Sequence, residues 1–179
     1  MHEVETKILN VDKDAIAQIL AKLGAEKILE TRLFVDWFRT KNSQEGQDLW
    51  YLRIRTDSSG NSEITWKGKS EILGSARKHK EINFSVPDLG KAELMFQEFG
   101  LEKYAHQEKD RVSWQFKDWR FDLDQYPGMP AYLEIEGLDE QHIQKALKLL
   151  VLENYKTISE GERILIQKEY KLDWYNMKF

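Results

Sequence analysis

Strand after strand in this chain alternates between apolar and polar residues, and the polar half of the alternation is charged. Side chains of a strand point to opposite faces in turn. Over residues 2–9, Glu3, Glu5 and Lys7 therefore share a face, with Val4 and Ile8 off it. Over 49–56, Arg53 and Arg55 oppose Leu52 and Ile54; over 62–67, Glu63, Thr65 and Lys67 oppose Ile64 and Trp66. Over 77–86, Arg77, His79, Glu81, Asn83 and Ser85 oppose Ile82, Phe84 and Val86. Over 102–117, Lys109, Arg111, Ser113 and Gln115 oppose Val112, Trp114 and Phe116. Arg120, Asp122 and Asp124 oppose Phe121 and Leu123 over 119–125; Glu134 and Glu136 oppose Leu133 and Ile135 over 131–136.

Between the strands stand helix and turn signals. Asp12 precedes an apolar helical face of Ile16, Ile19, Leu20 and Leu23, stopped by Gly24. A long strand is expected over 27–40, a hairpin loop with Gly46 over 42–48, and a turn over 57–61. Residues 68–75 read as a loop. Pro87 and Asp88 open a second helix, apolar at Leu89, Leu94, Met95 and Phe99 and closed by Gly100. Residues 127–130 form a turn; Asp139 caps a helix over 140–152, Ser159 another over 160–171, and the aromatic tail 173–179 packs onto the body. Hairpin-linked strands with few helices predict an antiparallel α+β fold. A length of 179 residues suits one domain over 1–179.

Composition narrows the class. Charged residues make up 32% of the chain, yet 27 Lys and Arg against 31 Asp and Glu leave a net charge of −4. That balance argues against a basic nucleic-acid coat, so no nucleic-acid partner is expected. There is no cysteine, which excludes disulfides, thiolate zinc sites and cysteine nucleophiles. No apolar run approaches the ~20 residues of a membrane span, and the start MHEVETKILN has no secretory signal, so a cytoplasmic protein without a membrane partner is expected. A homodimer is compatible with the sequence, which marks no interface for one.

A charged strand face is ordinarily the solvated side of an open sheet. Here, however, like charges sit two residues apart, Glu3 beside Glu5 and Glu134 beside Glu136, where they repel. A hard divalent cation suits such carboxylates, and a polyphosphate suits rows of Arg and Lys. Together they describe a site for a metal–triphosphate complex. The charged faces fit the lumen of a closed antiparallel barrel, with helices over the apolar faces. Burying many ion pairs adds little stability, so a charged lumen is better explained by a ligand.

Glu3-Val4-Glu5-Thr6-Lys7 resembles the ExExK signature of the CYTH superfamily, the triphosphate tunnel metalloenzymes. Leu52-Arg53-Ile54-Arg55, Thr65-Trp66-Lys67-Gly68 and Lys109-Asp110-Arg111 follow in order, then Leu123 to Gly128 and Tyr132 to Glu136, so the resemblance spans about residues 3 to 170. It implies an eight-stranded tunnel binding a triphosphate-bearing small molecule with Mg²⁺ or Mn²⁺. It implies metal-associated carboxylates at Glu3, Glu5, Glu134 and Glu136, with Asp124 a ligand or the orienter of one. Lys7, Arg53, Arg55, Lys67, Lys109 and Arg111 are the implied phosphate-binding bases, and Lys7, Lys67 and Glu81 the implied catalytic groups. Asn83 stands where a second carboxylate is often found, His79 where an arginine often is, and Pro130 where glycine is common.

Relatives of this kind include triphosphatases and class IV adenylate cyclases. Water attacking the terminal phosphorus makes the first; a ribose 3′-hydroxyl attacking the α-phosphorus makes the second, releasing pyrophosphate. Hydrolysis needs only a triphosphate and water, while Val35-Asp36-Trp37-Phe38 resembles a strand of cyclase-like members. A tunnel that binds polyphosphate without turnover is the third reading, encouraged by Asn83.

Several other features have ordinary explanations. Gly68-Lys69-Ser70 lacks the first glycine of a P-loop, since Glu63 occupies its place. His2, His79, His106 and His142 show no metal-ligand spacing. Trp50 and Trp66 read as packing groups, and Lys145, Lys148, Lys156 and Lys168 as solvated helix faces.

Overall fold

In a computed structural model, which describes residues 2–44 and 47–179, the alternating segments close into a barrel. Its eight strands are β1 (His2–Leu9), β2 (Glu26–Thr40), β3 (Tyr51–Asp57), β4 (Ser62–Lys67), β6 (Ala76–Val86), β7 (Leu101–Phe116), β8 (Trp119–Gln125) and β9 (Tyr132–Gly137). They pair antiparallel in the order β1-β9-β8-β7-β2-β3-β4-β6, and β6 returns to β1. Short strands β5 (Glu71–Leu73) and β10 (Thr157–Ile158) extend β6 and β1, and β11 (Asn176–Met177) runs parallel to β7. Closure leaves no free edge around the ring, which removes the hazard of open sheets.

Helices cover the apolar outer faces. Asp12 caps α1 (Lys13–Lys22) by accepting from the amides of Asp14 and Ala15, and Ile16 and Leu20 face inward. Gly24 follows at φ +79°, the left-handed stop expected there. Asp139 caps α3 (Glu140–Leu149) by accepting from the His142 amide at 2.7 Å. Asp139→Ala is expected to cost about 1 kcal/mol, read as a lower denaturant midpoint. An unchanged midpoint would remove this cap from the account. Helices α1 and α3 bury Ile16, Leu20, Ile143 and Leu147 against Val4, Ile8, Leu133 and Ile135.

The expected face of α2 (Leu89–Glu98) is displaced. Its buried residues are Ala92 and Phe96, packed with Phe38, Leu52 and Ile64, while Leu94 is 62% and Phe99 70% exposed. Ala92 and Phe96 are four apart and so share one stripe. Leu94 falls outside that stripe, and Phe99 lies beyond the helix end as its C-cap.

Three further expectations change. Residues 68–75 include β5 rather than loop alone, and the strand over 49–56 begins at Tyr51. Ser159 does not cap a helix over 160–171. Thr157 and Ile158 pair with Ile8 and Lys7, which carries extended chain up to Ser159. Helix α4 starts only after Gly161, spans Glu162–Leu165, and passes into a π-helical turn over Ile166–Tyr170. Gly46 of the expected hairpin loop lies outside the described residues; beside it, Asp48 accepts from the amide and hydroxyl of Thr40.

The last helical segment and the tail seal one end of the barrel. Leu165, Ile166, Trp174 and Met177 pack with Leu33, Val35, Trp37, Tyr126 and Tyr132. Trp174 and Trp37 rings lie 5.2 Å apart. No helix among the described residues is long and apolar enough to cross a membrane.

Candidate active site

Strand register decides which charges meet. Pairing of β1 with β9 sets Glu5 opposite Glu136 and Lys7 opposite Glu134. Pairing of β1 with β6 sets Glu3 opposite His79 and Glu5 opposite Arg77. Lys67 faces Glu81, Arg55 faces Glu63, Arg111 faces Asp124, and Asp122 faces Glu134. The alternation read along each strand thus becomes a lumen of opposed acids and bases around a cavity of about 190 Å³.

Two carboxylate groups converge in it. Glu3, Glu5 and His79 form one, and Asp122, Glu134 and Glu136 the other; in each, the ligand atoms lie within 4.8 Å of one another. In the first group, His79 Nε2 is 2.5 Å from Glu3 and 3.4 Å from Glu81, and Lys67 Nζ is 2.8 Å from Glu3 and 2.6 Å from Glu81. Glu5 is fully buried; one oxygen accepts from Lys7 and Arg77, while Oε2 is buried without a hydrogen bond. A carboxylate oxygen with no hydrogen bond, and only the Lys67 ammonium at 3.7 Å, suits a hard cation, which these residues could hold.

Burial alone would raise the Glu5 carboxyl. The Arg77, Lys7 and Lys67 cations outweigh that and hold it well below the ordinary range. Glu136 goes the other way: burial, then the carboxylates of Glu3, Asp122 and Glu134, push it well above that range. A cation among these acids would relieve that repulsion.

The base rows are paired unequally. Arg77 binds Glu5, Arg55 donates to Glu63 at 2.7 Å, and Arg111 binds both oxygens of Asp124 at 2.6 Å and Asp122 at 2.5 Å. Arg53 has no such partner. It is 8% exposed, its Nε is buried without a hydrogen bond, and among the described residues it makes no ion pair. A buried guanidinium left without a close carboxylate is costly unless an anion completes it.

The expected site residues therefore divide into two layers. Glu3, Arg53, Arg55, Lys67, Glu81, Arg111, Glu134 and Glu136 line the cavity. Lys7, Glu5, Lys109 and Asp124 lie behind that surface, each no more than 1% exposed. Asp124 belongs to neither acidic group. Its oxygens are taken by Arg111, by Lys109 at 2.8 Å and by the Tyr132 hydroxyl at 3.0 Å, an arrangement that orients cations. Asp122 stands with Glu134 and Glu136 instead.

Arg77, Arg120 and His79 also line the cavity, with fully buried Asp122 behind it; the alternation places each on the charged face, but the motif gives them no role. Glu162 had no sequence signal, because it comes from the helical segment beyond the strands. Its carboxylate accepts from Lys109 at 2.7 Å and from the Tyr126 and Tyr132 hydroxyls at 2.9 and 2.6 Å.

These buried acids set an acid limit on stability. Burial pushes Glu5, Asp124 and Glu162 up, but neighbouring cations leave all three below the ordinary carboxylate range. Their stabilisation is complete above the unfolded value of about 4 and is lost as pH falls toward the folded values. Glu136, with its raised folded value, has the opposite sign: its contribution is complete below about 4 and lost as pH rises. Glu81 is lowered likewise. Burial lowers His79, but its hydrogen bonds to Glu3 and Glu81 more than reverse this, so it acts with Glu136. Four groups against two predict a lower urea midpoint at pH 3 than at pH 7. Equal midpoints would contradict this electrostatic picture.

Comparison with known proteins agrees with the topology. The CYTH domain profile matches residues 1–164. A protein of Methanocaldococcus jannaschii, provisionally named an adenylate cyclase, is 27% identical over 173 residues, covering 95% of this chain and 97% of that one. A structure from Vibrio parahaemolyticus, also provisionally named an adenylate cyclase, superimposes with a TM-score of 0.74 at 18% identity, covering 93% of this chain and 98% of that one. A Hippeastrum protein, titled an adenylyl cyclase candidate with a dominant triphosphatase activity, gives 0.68 at 14% identity, over 96% and 97% of the two chains. With a barrel of this order, a lumen of this charge and a profile match over nearly its whole length, the chain belongs to the CYTH domain family.

Proposed function

We propose that this protein is a divalent-metal-dependent enzyme that hydrolyses the terminal phosphate of a triphosphate held in the barrel lumen. The observation that carries the reading is Arg53, a buried guanidinium without an ion-pair partner, beside Arg55 and Arg111 and across the lumen from two convergent acidic groups. A base that lacks an ion pair and acids that repel one another are both satisfied by one ligand, a polyphosphate carrying cations.

Glu3, Glu5 and His79 on β1 and β6, and Asp122, Glu134 and Glu136 on the adjoining β8 and β9, are the residues that would hold Mg²⁺ or Mn²⁺. Such an ion supplies charge neutralisation at phosphate oxygens and a more acidic water. The chain's own bases do the rest. Arg53, Arg55 and Arg111 grip non-bridging oxygens, and Lys67, fixed between Glu3 and Glu81, stands where it can meet charge developing on the chain. Burial lowers Lys67, but Glu5 and Glu3 more than reverse this, so it stays protonated through neutral pH. Lys7 and Lys109, behind the surface, fix the carboxylates in place. In the reaction a water oxygen bonds to the terminal phosphorus, the bridging P–O bond breaks with its electron pair going to the departing diphosphate, and orthophosphate forms with release of a proton. Phosphoryl transfer asks mainly for this positioning and neutralisation.

One observation favours a second reading. Tyr51, 44% exposed, lines the same cavity as Arg53, which gives a nucleoside triphosphate an aromatic surface for its base. That reading is a class IV adenylate cyclase. Purified protein incubated with tripolyphosphate, thiamine triphosphate, ATP or GTP, with Mg²⁺ or Mn²⁺, separates the outcomes. Orthophosphate release is expected; cyclic nucleotide with pyrophosphate would replace hydrolysis with cyclisation. Tight binding without product would leave a binding module.

A further inference from the structure

The sealed end of the barrel carries an anion of its own. Glu162, the first residue of α4, reaches from outside the strand ring to the deepest bases. There it holds Lys109 at 2.7 Å and accepts from two tyrosine hydroxyls. Glu162 thereby neutralises Lys109, which also keeps Asp124 at 2.8 Å. Tyr126, Tyr132 and Lys109 are each no more than 1% exposed, so the arrangement is built into the core rather than laid on the surface. Glu162 nonetheless lines the cavity together with Arg53, the base without an ion pair. Of the acids acting on Arg53, Glu162 exerts the largest attraction, although no ion pair joins them.

We propose that Glu162 is a specificity-determining residue: a fixed carboxylate that takes the place of a phosphate at the closed end and limits how many phosphates the tunnel can grip. The inference rests on the reading of the lumen as a polyphosphate site. A chain in the lumen finds Arg55, Arg111 and Arg53, and beside Arg53 a carboxylate in place of another base. Like charges repel at this depth, where water screens them poorly. A fourth phosphate therefore stays outside the grip and adds little affinity.

Glu162→Gln removes the charge while keeping the shape and an acceptor oxygen. Lys109 retains Asp124 at 2.8 Å, so the core keeps its pairing. The test is calorimetric binding of inorganic tripolyphosphate and tetrapolyphosphate with Mn²⁺, under conditions or times that exclude turnover. Wild type is expected to bind the two within about twofold, and Glu162→Gln to prefer the tetrapolyphosphate by about tenfold. Glu162→Asp, which keeps the charge, is expected to restore near-equal binding. An unchanged ratio in Glu162→Gln, whether both affinities rise or both fall, would overturn the proposal, because a displaceable plug or a purely structural role moves both ligands alike. Failure of wild type to bind either ligand would instead overturn the reading of the lumen itself.

Discussion

Glutamine in place of Glu134 is expected to lower metal-dependent turnover by about 10²–10³-fold or more while leaving the fold in place. Glu134 is one of three carboxylates whose oxygens converge with those of Asp122 and Glu136. Its Oε2 lies 2.6 Å from Lys7 and its Oε1 3.6 Å from Arg111, so the wall that faces the ligand depends on its charge. Glutamine fills the same volume and can still accept from Lys7. Lys7 also keeps Glu5 at 2.6 Å, so no buried ammonium is stranded. What is lost is a negative charge needed to hold a cation against phosphate. The check is orthophosphate release measured beside a thermal melt. Full activity in the variant would take Glu134 out of the site, and a melt lowered by tens of degrees would make it a structural residue.

The second large effect falls on stability. Arg111→Met is expected to destabilise the protein by about 3–5 kcal/mol, because it strands charges already taken out of water. Arg111 is 4% exposed and binds Asp122 and Asp124, both fully buried. Lys109 and Tyr132 still reach Asp124, but among the described residues Asp122 keeps only Arg120, at 3.0 Å. A surface pair of the same chemistry sets the scale. Arg32 grips Asp110 through two hydrogen bonds, yet the pair is more than a third exposed. Breaking it by Asp110→Asn should cost far less than Arg111→Met, because solvent screens the pair. Urea unfolding of both variants reads the contrast; equal losses would mean that the lumen is far better solvated than its burial indicates.

The barrel was legible because strand alternation is a period-two pattern that closure does not alter. Each charged face named from the sequence lies inward, from Glu3 and Glu5 on β1 to Glu134 and Glu136 on β9, and the ExExK resemblance assigned the ring its strand count. Register was not legible. Nothing in the spacing of Asp122 and Asp124 tells which one meets Glu134; the pairing of β8 with β9 decides for Asp122 and leaves Asp124 to Arg111 and Lys109. His79 was passed over because metal-ligand spacing is a local test, whereas its partners Glu3 and Glu5 lie on another strand. Glu162 was hidden for the same reason at longer range: a helix turn more than 20 residues beyond the last ring strand folds back to the closed end. The face of α2 misled because exposed Leu94, Met95 and Phe99 outweigh the smaller Ala92 in any count of apolar residues.

The most direct measurement of the central claim is titration of tripolyphosphate into the intact protein by calorimetry, with and without Mn²⁺, with orthophosphate assayed in the same samples. The account predicts binding strengthened by the ion, orthophosphate appearing only when the ion is present, and loss of that product in Glu134→Gln. Neither heat nor orthophosphate, with or without the ion, would contradict it.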